Sequence, residues 1–155
     1  KNPVEVLERI VHAVSMGGNM VVNFGPRPDG DFRAEEKELA KVIGKWTARN
    51  GECIYACGYA GWEKQDWGYY TAKGHHVYMV VFNRPYSGQL TAKTPKGTQI
   101  IKASLLNGEN IKVTETARNE YNVSMPKHEF NEPFVIKLEI KSSESTTNKY
   151  REALT

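Results

Sequence analysis

The run Asn19-Met20-Val21-Val22-Asn23-Phe24 constrains this chain most. Its apolar centre does not alternate with polar residues, the pattern of a strand covered on both faces. A helical pattern lies on either side. Asn2, Pro3 and Glu5 make a helix start of cap, first-turn proline and early carboxylate. Leu7, Ile10, Val11 and Val14 then share one helical face, and Gly17-Gly18 is the stop. Beyond the run, Gly25-Pro26 ends the strand and Pro28-Asp29-Gly30 makes a turn. Asp31 is placed to cap a second helix, with Glu35 and Glu36 in its first turns, where the helix dipole favours acid. Leu39, Val42, Ile43 and Trp46 form its buried stripe, and Asn50-Gly51 closes it. A strand buried between helices belongs to a parallel sheet, whose strands are joined by helical crossovers. No second such strand follows. The first third therefore reads as the last helix–strand–helix of an α/β barrel or open sheet whose other strands are absent. Standing alone, such a piece is expected to expose the apolar stripe of its first helix.

Everything after Gly58 reads as antiparallel β. Gly68 to Lys73 and His76 to Phe82 are rich in Tyr, Val and Thr, with a Lys-Gly turn between them. Thr98 to Leu106 and Ile111 to Thr116 flank Asn107-Gly108-Glu109-Asn110, a hairpin signal. Glu120 to Met125 and Phe134 to Ile140 follow, and Gln89 to Ala92 is a short candidate strand. Strands at this spacing predict a small antiparallel sandwich. The expected layout is residues 1–57 for the helix–strand–helix part, 58–141 for the sandwich and 142–155 for a surface tail. Within the tail, Lys149 to Leu154 has the makings of a helical turn.

Composition narrows the function classes. The chain has 155 residues, 39% of them hydrophobic and 25% charged, the balance of a folded domain rather than a disordered segment. Twenty-one basic against 18 acidic residues leave a net charge of +3, and the basic residues are scattered. No polybasic arm for nucleic acid or membrane is present. The apolar run Val77 to Phe82 is too short to span a bilayer. Two cysteines, Cys53 and Cys57, exclude a disulfide-rich scaffold and read as free or buried thiols; a bridge between them is geometrically demanding. No further Cys or His stands near them at ligand spacing, so no metal and no cofactor is expected. Lys1 is not a start methionine, and the expectation is that the true N-terminus lies upstream.

The stretch Val14-Ser15-Met16-Gly17-Gly18-Asn19-Met20-Val21-Val22-Asn23-Phe24-Gly25-Pro26, followed by Asp29-Gly30, resembles the α-L-fucosidases of glycoside hydrolase family 29. Gly44-Lys45-Trp46, Asn50-Gly51-Glu52 and Ile54-Tyr55 continue the resemblance, as do Trp67-Gly68, Thr71, Lys73-Gly74 and Tyr78 further on. It is specific over residues 7–82 and architectural beyond. Ala56-Cys57, Thr47 and Phe32 depart from the family pattern, which points to a divergent member. The resemblance implies the end of a TIM-like (β/α)8 barrel, with the run at 19–24 as its eighth strand, and a C-terminal β-sandwich. It implies a retaining exo-glycosidase acting on fucosylated glycans, secreted, periplasmic or lysosomal, whose fragment here packs on the rest of its own barrel. An Asp nucleophile and a carboxylic acid/base would lie about 5–5.5 Å apart. Both belong to earlier barrel segments, so no catalytic residue is assigned in this chain.

The carboxylates present read as structural: Glu35 and Glu36 as solvated helix-start charges, Asp29 as a turn residue, Glu63 and Asp66 as solvated loop acids. Asn23 is the candidate substrate-contacting residue. It ends the predicted strand, on the face where barrel enzymes build their sites, and its amide can bond a sugar hydroxyl or orient a neighbour; the structural alternative is that it satisfies loop backbone. Trp62 and Trp67, with Tyr55, Tyr59 and Tyr69 nearby, are expected to plug the seam between barrel and sandwich; stacking on a sugar is the other reading. His12 reads as a boundary residue, His128 as exposed, and at most one of His75 and His76 faces a core. The remaining function classes are a carbohydrate-binding sandwich and a purely structural one that supports the barrel.

Overall fold

The computed structural model describes residues 2–106 and 108–142. The tail beyond 142, the helical turn read at its end, and Asn107 lie outside the described residues.

Helix α1 spans Pro3–Ser15, and the Asn2 side chain accepts the Val4 N–H at 2.9 Å, the predicted cap. It stops where the glycines stand. Gly17 N–H donates to the Val14 carbonyl at 2.9 Å and Gly18 N–H to that of Ala13 at 2.8 Å. Gly17 takes φ +81°, which a side chain disfavours. Helix α2 spans Ala34–Asn50 and runs into a 3-10 turn, Gly51–Cys53. Arg33, not Asp31, holds its cap position. Asp29 captures the Asp31 N–H at 3.1 Å in an Asx turn, which keeps the chain non-helical through the predicted start. Asp31 accepts the Phe32 N–H at 2.8 Å and pairs with Lys37.

Residues 19–24 form no strand among the described residues. A doubly covered strand needs parallel neighbours to accept its hydrogen bonds, and all the strand pairs among the described residues are antiparallel. Val21 is accordingly 80% exposed.

The remainder is antiparallel throughout. One sheet has the order β1 (Gly68–Lys73), β2 (His76–Val81), β8 (Phe134–Lys141), β4 (Gln99–Leu105), β5 (Asn110–Ile111). The other is β3 (Gln89–Lys93), β7 (Glu120–Ser124), β6 (Val113–Ala117). The run predicted as one strand from Ile111 to Thr116 is split at Lys112. Ile111 pairs with Ala103 in the larger sheet, and Val113 pairs with Val123 in the smaller. A chain that changes sheets within one residue leaves the apolar pattern intact, so the pattern hides the break.

The two sheets close over a core that includes Trp67, Tyr70, Val77, Met79, Leu90, Val123, Ile136 and Leu138. The larger sheet is covered on its outer face too. Tyr78, Val80 and Val135 point away from the sandwich and meet Leu7 and Val11 of α1, Trp46 of α2 and Cys53. This explains the unbroken apolar run of β2: Val77, Met79 and Val81 serve one core, Tyr78 and Val80 the other. It also corrects one expectation. The apolar stripe of α1 is covered, with Leu7 and Val11 buried against the sheet. Met16, Met20, Val21 and Phe32, around the unpaired run, are among the apolar side chains left outside, as are Val4 at the start of α1 and Ile101 on β4.

Candidate functional site

The candidate site is the segment joining α1 to α2, residues 17–33. Its distal half is a built turn. Arg27 N–H donates to the Asp31 carbonyl at 2.6 Å and Gly30 N–H to the Arg27 carbonyl at 2.8 Å, with Gly30 at φ +84°. Lys37 and then the Phe32 N–H hold the Asp31 carboxyl below the usual carboxylate range. The turn is thus fixed by its own backbone and by an ion pair to α2. Asn23 precedes it and is exposed. Its amide has no hydrogen-bond partner among the described residues, so its bonding capacity is unspent.

The other sequence candidates are dispersed. Glu35 is exposed and Glu36 half-buried at the start of α2. Glu63 is exposed and stands 3.7 Å from Lys93, and Asp66 is exposed in the same loop. His12 is exposed and stacks on Tyr69 with ring centroids 5.3 Å apart. His75 and His128 are exposed. His76 is half-buried, and burial followed by the nearby Lys137 charge lowers its pKa. Among the described residues no group of three or more His, Cys, Asp or Glu is arranged to hold a metal ion. No described helix is long and apolar enough to cross a membrane.

Trp62 and Trp67 are both buried, but in the sandwich core rather than the seam. Trp67 Nε1–H donates to the Thr91 carbonyl at 2.9 Å, and its ring meets Tyr70 edge-on. The tryptophan in the seam is Trp46. A tryptophan in a loop and one on a helix stripe look alike in burial potential, and the sequence does not say which core each one enters.

The seam also holds a polar cluster that sequence reasoning missed. The Glu52 carboxylate accepts from the Tyr78 hydroxyl at 2.8 Å and pairs with Lys137 Nζ at 2.8 Å. The Lys137 bond keeps the Glu52 pKa low, against the opposing effect of partial burial. Burial and the adjacent carboxylate push the Tyr78 hydroxyl up. Thr71 Oγ1 donates to the Cys53 carbonyl at 2.6 Å, a further tie between turn and sheet. Asn50-Gly51-Glu52 was visible as a motif, but nothing in its spacing joins it to positions 78 and 137. Both cysteines are free; burial pushes the Cys53 thiol up to about 12 and raises that of Cys57 as well.

The arrangement offers an exposed amide at Asn23 just before a fixed turn and, among the described residues, no assembled pair of catalytic carboxylates. Comparison with known proteins supplies its context. The family model described as Alpha-L-fucosidase matches residues 1–52. The human tissue alpha-L-fucosidase is 36% identical over 105 residues, covering 66% of this chain and 22% of that protein. The crystal structure of a GH29 alpha-L-fucosidase from Bacteroides thetaiotaomicron superposes with a TM-score of 0.89 at 62% identity, covering 100% of this chain and 34% of that one. A second structure from that organism, a covalent intermediate in complex with 2-fluoro-fucosyl fluoride, gives a TM-score of 0.89 at 64% identity over 92% of this chain and 33% of that chain. The chain spans about a fifth of the curated relatives and a third of the solved ones. It belongs to the α-L-fucosidase family, glycoside hydrolase family 29, and carries that family's C-terminal β-sandwich.

Proposed function

We propose that this chain is the C-terminal part of a retaining exo-glycosidase that removes terminal α-L-fucose from glycans. Residues 1–57 supply the last helix–strand–helix of the catalytic (β/α)8 barrel, and 58–141 the sandwich. The observation that supports this reading is the 62% identity, over the whole chain, to a GH29 alpha-L-fucosidase of solved structure. The hydrolysis itself belongs to residues outside the chain. An Asp attacks the anomeric carbon, and a second carboxylic acid protonates the leaving oxygen and then activates water, the two about 5–5.5 Å apart. The protein works in a secreted, periplasmic or lysosomal setting.

Within that enzyme the chain has two tasks. The run at 19–24, unpaired and with Val21 80% exposed, completes the barrel by pairing with strands the chain lacks. That places Asn23 at the site-bearing end of the barrel, where its unspent amide bonds a sugar hydroxyl or orients a catalytic neighbour. The sandwich holds α2, and through it the fixed turn at 27–31, by the Trp46 and Glu52 contacts. The purely structural reading of the sandwich is thus one part of the enzymatic one.

A chimera tests this. This chain replaces the corresponding third of the Bacteroides enzyme, and turnover of an aryl α-L-fucoside is measured. The expected result is a folded chimera with retained turnover; a folded chimera without turnover would overturn the reading. Asn23→Ala in the chimera is expected to raise KM or lower kcat, and unchanged kinetics would remove Asn23 from the site.

A further inference from the structure

We propose that the part of the larger sheet's outer face left open beyond the helices binds a sulfated polysaccharide. Side chains alternate along each strand, and Ala72, Val77, Ala103, Leu138 and Ile140 point into the sandwich core. Lys73, His76, Lys102, Lys137, Glu139 and Lys141 therefore stand on the opposite face. The strand register sets their neighbours. Glu139 lies opposite His76 on β2 and Lys102 on β4, and His76 lies opposite Lys73 on β1. Lys137 and Lys141 lie two residues before and after Glu139 on β8, on its own face. One carboxylate thus sits amid five nitrogen-bearing side chains drawn from four strands.

The charge on this patch is lopsided. Lys137 is paired with Glu52 at 2.8 Å. Lys73, Lys102 and Lys141 form no ion pair among the described residues, although Lys73 Nζ reaches the Tyr55 carbonyl at 3.4 Å. Lys102 and Lys141 are exposed, and of this set only the exposed Glu139 is left to offset them. Cations gathered without their counter-charges repel one another and attract an anion. The chain as a whole carries a net charge of only +3, with its basic residues scattered along the sequence. The strand register concentrates them here.

The spacing specifies the occupant. Neighbouring strands lie about 4.8 Å apart, so the backbone sites of Lys73 and Lys102, three strands apart, are separated by roughly 14 Å. Lys137 and Lys141 are roughly 13 Å apart along β8. A single sulfate or phosphate ion covers a fraction of that span; an extended chain with an anionic group on successive units covers it all. The cations are lysines, compact point charges without the planar fork that pairs a carboxylate, so a permanently ionised sulfate matches them best. Single-stranded nucleic acid binds where exposed rings stack on its bases. Tyr78, opposite Lys137, is buried and offers none. The proposal draws on four strands of the sandwich and does not rest on the hydrolytic reading.

The test titrates a labelled heparin oligosaccharide with the 155-residue chain and follows fluorescence anisotropy. Saturable binding is expected at low salt, weakening at least about tenfold between roughly 50 and 200 mM. The desulfated oligosaccharide should show no saturable binding. Lys102→Gln and Lys141→Gln combined should weaken binding at least about tenfold. Glu139→Gln removes the central negative charge and should tighten binding about threefold or more. Lys41→Gln and Lys45→Gln combined lose the same charge from α2 and should leave binding within about twofold of the parent. All five substituted residues are exposed, and circular dichroism checks that each variant is folded. Failure of the heparin oligosaccharide to bind at low salt overturns the proposal. So does equal weakening by the two lysine pairs, which would make net charge responsible rather than this face, or a Glu139→Gln variant that binds no tighter. Equal binding of a single-stranded oligonucleotide or of phosphatidylserine vesicles also overturns it and reduces the face to general polyanion attraction.

Discussion

Trp46 Nε1–H donates to the Pro133 carbonyl at 2.8 Å, joining α2 to the loop before β8 across 87 positions of chain. Trp46 is 0% exposed, and its cluster draws on both helices and the outer face of the larger sheet. The helices and the sandwich therefore share a core. Trp46→Ala should destabilise the chain by about 3–5 kcal/mol in urea unfolding. Trp46→Phe keeps most of the burial but strands the Pro133 carbonyl, at about 1–3 kcal/mol. If Trp46→Ala unfolds at the parent's midpoint, the shared core is wrong.

Glu52 ties the same two parts by charge. Its pKa is depressed in the folded chain, chiefly by Lys137, so its contribution is present above the ordinary glutamate range and is lost as pH falls through the folded value. Its side chain is 37% exposed and that of Lys137 32%, so water screens the pair to less than about 1 kcal/mol. Glu52→Gln keeps an acceptor for the Tyr78 hydroxyl and removes only the charge. The variant should be slightly less stable than the parent at neutral pH, and the gap should close in acid. A gap that widens in acid would contradict this assignment.

Gly17 closes α1 at φ +81°. Gly17→Ala forces a side chain into that left-handed conformation and should cost about 1 kcal/mol. Gly68 is the harsher case. A Cβ there would collide with the Val80 carbonyl oxygen of the paired strand, so Gly68→Ala should disrupt the β1–β2 register outright. Thermal melts of the two variants should differ widely.

The thiols should be slow. Burial pushes Cys53 up to about 12 and raises Cys57, so little of either is thiolate at neutral pH. Ellman's reagent should label the folded chain slowly, at half-buried Cys57 before buried Cys53, and both rapidly in denaturant. Fast labelling of Cys53 in the folded state would contradict its burial.

Much of this was legible in the sequence because it is local. The Asn2 cap, the Gly17-Gly18 stop and the β1–β2 hairpin around Lys73-Gly74 depend on residues a few positions apart. What was not legible depends on partners far along the chain. The pattern at 19–24 records coverage on two faces but not who provides it, so the run reads as a strand and stands unpaired here. Asp31 has the chemistry of a cap, and the Asx turn at Asp29 displaced it. Trp62 and Trp67 were assigned to the seam that Trp46 fills, since burial potential does not name a core. The Glu52–Tyr78–Lys137 cluster has no sequence signature. Asn23 reads as a site candidate from its place at the end of the run, and in the structure its amide is exposed.

The most direct measurement is the hydrolysis of an aryl α-L-fucoside by the purified 155-residue chain, with circular dichroism and tryptophan fluorescence confirming that it is folded. If the catalytic carboxylates lie in the portion of the enzyme this chain lacks, the folded chain releases no aryl alcohol above the buffer rate. Saturable, enzyme-dependent release by the folded chain would contradict that division and place catalytic groups among the residues described here.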